Sequence, residues 1–173
     1  GSYTDANGLV QSMPYNLLQQ SNTFNTTWLL SGATLTSGQS GYDGTNNAWL
    51  LSKDAGQYRR VYQNVSFSGV CTLSVYAKSN TLNQLSLRDG NSATLARFDL
   101  SNGSLISTSG SPIATSIVSV GGGWYRCSLT ILDSLQSQIY VDWSQSNAGS
   151  IYIQDAQLNQ GSTALPYFAT TTR

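Results

Sequence analysis

The chain contains no histidine and no glutamate, and lysine occurs only at Lys53 and Lys78. Without histidine, Ser-His-Asp and Cys-His catalysis are excluded and the usual zinc ligand is gone. A carboxylate-pair glycosidase would have to use aspartate alone, with two facing acids of which one has a raised pKa. Charged residues make up 9% of the chain, against roughly a quarter in an ordinary globular domain. The formal net charge is zero, so there is no basic face to attract a phosphate backbone, and nucleic acid is not an expected partner. No apolar run approaches the ~20 residues that cross a bilayer, and no signal peptide is visible, so membrane insertion is not expected. Phosphate loops, dinucleotide fingerprints and metalloprotease motifs are missing too. These absences argue against an enzyme and against a required cofactor.

What remains is a chain of 173 residues, 39% apolar, which is enough to bury a core as one domain. Helical periodicity of useful length is absent. Short alternating segments recur instead: Ala48–Ser52, Tyr58–Val65, Cys71–Lys78, Gln84–Arg88, Leu95–Leu100, Ser116–Val120, Trp124–Ile131, Gln138–Trp143 and Ser150–Leu158. Between them lie turn-rich breaks such as Asp89-Gly90-Asn91, Ser101-Asn102-Gly103 and Gly121-Gly122-Gly123. This spacing predicts an all-β fold of about nine or ten strands, an antiparallel two-sheet β-sandwich of jelly-roll type. Gly1-Ser2 reads as a vector-derived remnant. Residues 1–15 then form a remnant and linker, 16–170 a single domain and 171–173 a tail.

Three of these segments carry the functional signal. Successive side chains of a strand face opposite ways. Val61 and Val65, Leu85 and Leu87, and Ile139, Val141 and Trp143 are read as facing the core. The opposite face then carries Tyr58, Arg60, Tyr62 and Asn64, then Gln84, Ser86 and Arg88, then Gln138, Tyr140 and Asp142. An ordinary solvated face would be rich in Lys, Glu and Thr. Tyr, Arg, Gln, Asn and Asp suit a polar ligand with flat apolar patches, such as a sugar. Tyr62 and Tyr140 are expected to stack on pyranose rings, with Arg60, Arg88, Gln138, Asn64 and Asp142 bonding to hydroxyls. The competing reading is that Arg60, Arg88 and Asp142 only pair with one another across the sheet.

Cys71 and Cys127 are each in phase with apolar neighbours and have no basic neighbour in phase to activate them, which argues against a nucleophile. They read as two buried small hydrophobes, with a disulfide left open. In Gly122-Gly123-Trp124-Tyr125-Arg126-Cys127 the strand places Tyr125, Cys127, Leu129 and Ile131 inward, and Trp124, Arg126, Ser128 and Thr130 on the opposite side. Trp124 is expected to pack under a loop rather than to bind.

From Asn16 to Thr170 the chain resembles a domain of tailed-phage (marine virus) structural proteins. The resemblance rests on Asn16-Leu17-Leu18-Gln19-Gln20-Ser21 with Phe24 and Trp28, and on Ser40-Gly41-Tyr42-Asp43-Gly44-Thr45. It continues through Leu73-Ser74-Val75-Tyr76-Ala77-Lys78, Phe98-Asp99-Leu100 and Gly122-Gly123-Trp124-Tyr125-Arg126-Cys127, and ends with Ile151-Tyr152-Ile153-Gln154-Asp155-Ala156-Gln157-Leu158, followed by Gly161-Ser162 and Pro166-Tyr167. Such domains are similar to the jelly-roll carbohydrate-binding modules that accompany cellulases and xylanases, which hold polysaccharide along a concave sheet. The resemblance implies a non-catalytic glycan-binding module on a virion surface, in a tail fibre or capsid decoration. It implies oligo- or polysaccharide and other virion proteins as partners. The alternative is a purely architectural virion domain that makes protein contacts and binds no sugar. The relatives often carry a structural calcium; here Phe24-Asn25 replaces their Phe-Glu pair, and Asp155 is the one metal ligand the resemblance implies.

Overall fold

The computed structural model describes residues 2–4, 7–8, 10–12 and 16–171. Among them every regular element is a strand: β1 (Ser2–Thr4), β2 (Val10–Ser12), β3 (Leu29–Ser31), β4 (Ala33–Gln39), β5 (Ala48–Lys53) and β6 (Arg60–Ser79), then β7 (Gln84–Asp89), β8 (Leu95–Asp99), β9 (Ser104–Ser109), β10 (Ala114–Gly121), β11 (Trp124–Val141) and β12 (Gly149–Gln160). β1 and β2 pair with each other, within the stretch expected to be linker. The expected remnant at Gly1 and the end of the tail, 172–173, lie outside the described residues.

Two long strands organise the rest. β6 runs for 20 residues and β11 for 18, each serving both layers of a sandwich. The first layer is β4-β5-β12-β6-β11-β10, using the later half of β6 and the earlier half of β11. The second layer is β3-β6-β11-β7-β8-β9, using the other halves. All these pairings are antiparallel. The alternation in the sequence divides β6 and β11 into two strands each, leaving residues 66–70 and 132–137 unassigned between them. These residues are the bend where each strand crosses between layers, with register shifts at Leu132/Ser134 and Ser134/Gln136.

The layers close on one core. Leu73, Val75, Leu129, Ile131, Ile151 and Ile153 meet Val61, Leu85, Leu87, Phe98, Ile139 and Val141, all buried. Phe24 is fully buried against Trp28 and Trp49, at 5.0 and 6.1 Å between ring centroids. Cys71 and Cys127 are free thiols within this core; Cys71 sits opposite Ile131 and Cys127 opposite Val75, four residues apart along the same strand pair. Burial, with smaller contributions from Asp89 and Asp133, pushes the Cys71 thiol up to about 11, the opposite of activation.

Asp89 clamps the bend of β11. It is 1% exposed and accepts hydrogen bonds from Ser134 Oγ, Leu135 N, Gln136 N, Ser92 N and Ser92 Oγ, at 2.9–3.3 Å. Burial alone would raise its pKa, but the backbone N–H groups of Ser92, Gln136 and Leu135 outweigh it and hold the carboxyl below its usual value. A depressed folded pKa contributes stability that is present above the unfolded value and lost as pH falls through the folded one. Asp89→Asn is therefore expected to cost about 2 kcal/mol at neutral pH. Melting curves should show the gap to the parent closing below pH ~4. A gap that stays constant with pH would mean that the charge is not what holds the bend.

Candidate functional site

Across the second layer, strand register sets out the outer face in rows. One row runs Leu29, Tyr62, Gln138, Arg88 and Leu95; the next runs Ser31, Arg60, Tyr140, Ser86 and Arg97. Asn64 stands opposite Gln136, and Gln84 opposite Asp99. So the structure brings Arg60, Tyr62, Asn64, Gln84, Arg88, Gln138 and Tyr140 onto one face, as the alternation required. Gln136, at the edge of the bend, belongs to the same face; it lies outside the strand segments expected from sequence.

At the strand end the alternation breaks. Asp142 has φ 53°, a left-handed conformation that aspartate tolerates better than most residues. The backbone turns, and Trp143 leaves the core side. Its ring packs edge-on against Tyr140 at 4.6 Å and Tyr58 at 4.8 Å, with the Arg88 guanidinium 5.7 Å from its centroid. This corrects the reading of Trp143 as a core residue. Tyr58, itself at φ 60°, donates its backbone N–H to Trp143 O and is 44% exposed. Two left-handed non-glycine residues thus flank one tryptophan, and such strain gathers at binding sites.

Two predicted contacts are placed differently from expectation. Asp142 is 4% exposed and fixes the turn: its N–H donates to Gln84 O, its carbonyl accepts from Gln145 N, and Oδ2 accepts a long bond from Asn147. It does not stand on the sheet face. Tyr140 is 2% exposed, covered by Trp143 and by Arg60, whose guanidinium carbon lies 5.6 Å from its ring. It supports the aromatic platform rather than presenting a free ring. Burial raises its phenol pKa, with Arg60 and Arg88 partly offsetting that.

The polar groups form a relay. Tyr140 Oη donates to Gln138 Oε1 at 2.5 Å, and Arg88 Nη1 donates to the same oxygen at 3.0 Å. Gln138 Nε2 donates to Gln136 Oε1, and Gln136 Nε2 donates to Asn64 Oδ1 at 2.6 Å. Arg60 lies over Tyr62 at 5.1 Å and reaches Tyr58 O at 3.4 Å; Arg97 Nη2 donates to Gln84 at 3.1 Å. Arg60 Nε and Arg97 Nε are buried without a hydrogen-bond partner. The ion pair found among the described residues is Arg59–Asp54, elsewhere, so Arg60, Arg88 and Asp142 do not pair across the sheet. The face sets guanidinium groups beside an aromatic edge, with the Nε atoms of Arg60 and Arg97 enclosed beneath it.

Asp155 sits in a bulge of β12 at φ 53° and is 7% exposed. Its N–H donates to Asn22 Oδ1, and its Oδ2 accepts the Tyr42 hydroxyl at 2.6 Å. Burial raises its pKa, as does nearby Asp43, while the Tyr42 hydrogen bond lowers it. Asn25 is exposed, and no group of three or more His, Cys, Asp or Glu suited to a metal occurs among the described residues. Calcium asks for about six to eight oxygens with ample negative charge, and this donor set does not fit it. Trp124 is buried beneath Tyr42 and Tyr152, as expected of a ring under a loop. Nor do Asp89 and Asp142 form a catalytic pair: the first is held low by its donors and the second is spent on a turn.

No protein-family model matches the chain, and no curated protein matches it. Solved structures do. The Clostridium thermocellum endo-1,4-β-D-xylanase 10B fragment with CBM22-1 and GH10 modules, complexed with xylohexaose, aligns with a TM-score of 0.50 and 16% identity, over 87% of this chain and 29% of that one. The fold is a jelly roll. The CBM22-1 xylan-binding domain of Paenibacillus barcinonensis Xyn10C aligns at 0.48 and 12% identity, over 86% of this chain and 96% of that one. The enzymatically active domain of bacteriophage CBA120 tailspike protein 4 aligns at 0.44 and 16%, over 83% and 21%. The chain spans under a third of the xylanase and tailspike chains it matches. At these identities the likeness establishes architecture alone.

Proposed function

We propose that this domain is a non-catalytic glycan-binding module that holds an oligo- or polysaccharide on the outer face of the second layer. The observation that carries this reading is the cluster of Trp143, Tyr58, Arg60 and Arg88, in which rings and guanidinium groups meet and neither arginine has an ion pair among the described residues. Trp143 and Tyr58 provide the apolar edge for a sugar ring, with Tyr62 one strand away. Arg60, Arg88, Gln84, Asn64 and Gln136 provide donors and acceptors for hydroxyls. Gln138 and Tyr140 hold Arg88 and Trp143 in place from below. Binding is calcium-independent and weak per site, because an open polar face gains little over water. Multiple copies on a virion surface, in a tail fibre or capsid decoration, would supply avidity.

That setting is supported by the sequence resemblance to tailed-phage structural proteins. An architectural role with other virion proteins as partners is favoured by one feature, the exposed Leu132 and Leu135 at the β11 bend, 58% and 52% accessible. The experiment is a glycan and polysaccharide screen with the domain displayed multivalently, with and without calcium. The expected result is a calcium-insensitive hit. No hit at high valency would overturn the glycan reading in favour of the architectural one.

A further inference from the structure

The outer face of the first layer holds a second feature. After β12 the chain folds back across that face. Thr130 Oγ1 donates to Ser162 O at 3.2 Å, and Thr72 Oγ1 donates to Gly161 O at 2.9 Å. This return segment covers the β12 side and leaves an open trough on the β10 side. The result is a cleft of about 540 Å³, within the size range of small-ligand sites. Its floor is Arg126, Ser128 and Thr130; one wall is Ser116, Val118 and Val120 of β10, and the other is Ser162–Ala164. Val118 and Val120 are exposed, so the edge-strand wall presents apolar surface beside a floor of hydroxyls.

Arg126 is the decisive residue. Its Nη2 donates to Leu165 O at 2.6 Å and Ser74 Oγ at 3.2 Å, and its guanidinium lies 5.3 Å from the Tyr76 ring. Its Nε is buried with no hydrogen-bond partner, and it has no ion pair among the described residues. Tyr42 stacks on the Tyr76 ring at 3.7 Å, which fixes the surface against which the guanidinium rests. Asp155 feels this charge but is itself tied to the Tyr42 hydroxyl. A half-buried guanidinium that bonds only to neutral oxygens, through Nη2, and whose Nη1 makes no hydrogen bond among the described residues matches a carboxylate better than a hydroxyl.

We propose that this cleft is a second saccharide site that takes an acidic sugar, with the sugar carboxylate on Arg126 and its hydroxyls on Ser128 of the floor and the exposed Ser162 and Thr163 of the wall. The site stands on different residues and on the opposite layer from the Tyr58–Trp143 face, so either can fail without the other. Val118 and Val120 would cover the C–H face of the ring, the apolar half of a pyranose.

The test titrates the whole chain with oligogalacturonate and oligomannuronate, each beside its carboxyl-esterified counterpart, and follows the Arg126 Nε–Hε resonance. At least one acid form should shift that resonance and its ester should not. Ser116→Trp, on an exposed wall position, should block the cleft and abolish the response. Arg126→Lys, which keeps charge but loses the planar fork, should weaken binding by about tenfold. Trp143→Ala should leave the response unchanged. The proposal is overturned if neither acid shifts the resonance at saturating concentration, if esters act as well as acids, or if Ser116→Trp binds as the parent does. A response lost in Trp143→Ala but kept in Ser116→Trp would assign the acid sugar to the other face and equally overturn it.

Discussion

Trp143→Ala is expected to abolish retention on the glycan identified by the screen while lowering the melting temperature by only a few degrees. The indole is half-buried at a strand end, so little core volume goes with it. It nonetheless joins the elements of the face: Tyr58 on one edge, Tyr140 on the other, Arg88 above. Aromatic anchors at the centre of such contacts carry most of the binding energy, on the order of 2 kcal/mol or roughly thirtyfold in Kd. Trp143→Phe should recover part of it, because a smaller ring still offers a π face. Affinity electrophoresis or calorimetry with the same glycan would show the loss. Equal binding by parent and alanine variant would remove Trp143, and with it this corner of the sheet, from the site.

The tryptophan shows where the sequence stopped being readable. Period-two alternation correctly placed Val61, Leu85, Leu87, Ile139 and Val141 inward and Arg60, Tyr62, Gln84 and Arg88 outward, because one sheet face is buried and a slip would expose it. It was carried one residue too far. Asp142 adopts a left-handed conformation, so Trp143 falls on the same side as Tyr140. The signal was present in the Asp followed by Ser144-Gln145-Ser146-Asn147, a turn composition, but the apolar tryptophan masked it.

The strand inventory shows the same limits. β4 and β9 are short in apolar residues and mostly exposed, so they carry little alternation to detect. The continuity of β6 and β11 depends on pairing across the bend, Phe67 opposite Ser134, and on Asp133 accepting from Gly69 N at 2.7 Å; both are long-range facts. The first-layer cleft was hinted at, since Arg126, Ser128 and Thr130 were assigned the outward phase. Its second wall is the chain's own return across the sheet, and no local pattern announces that.

Tyr140→Ala is expected to behave unlike every other substitution on the glycan face. A stacking role read from alternation alone would have it lose binding at constant stability. Its ring is instead among the largest fully enclosed side chains of the protein, and truncating a buried aromatic costs about 3–5 kcal/mol. The loss has three parts: the cavity itself, the ring surface on which Trp143 and Arg60 rest, and the hydroxyl that donates to Gln138 Oε1. Tyr140→Phe separates them. It keeps the ring and removes the hydrogen bond, so it should cost about 1 kcal/mol and release Gln138 and Arg88 from their shared geometry. Thermal melts of the two variants should therefore differ widely. Glycan titrations at a temperature where both are folded should show Tyr140→Phe binding several-fold more weakly, as expected of a residue that positions the face from beneath. If Tyr140→Ala instead melts like the parent and only binding is lost, the ring is free and open to solvent, and the supporting role assigned to it here is incorrect.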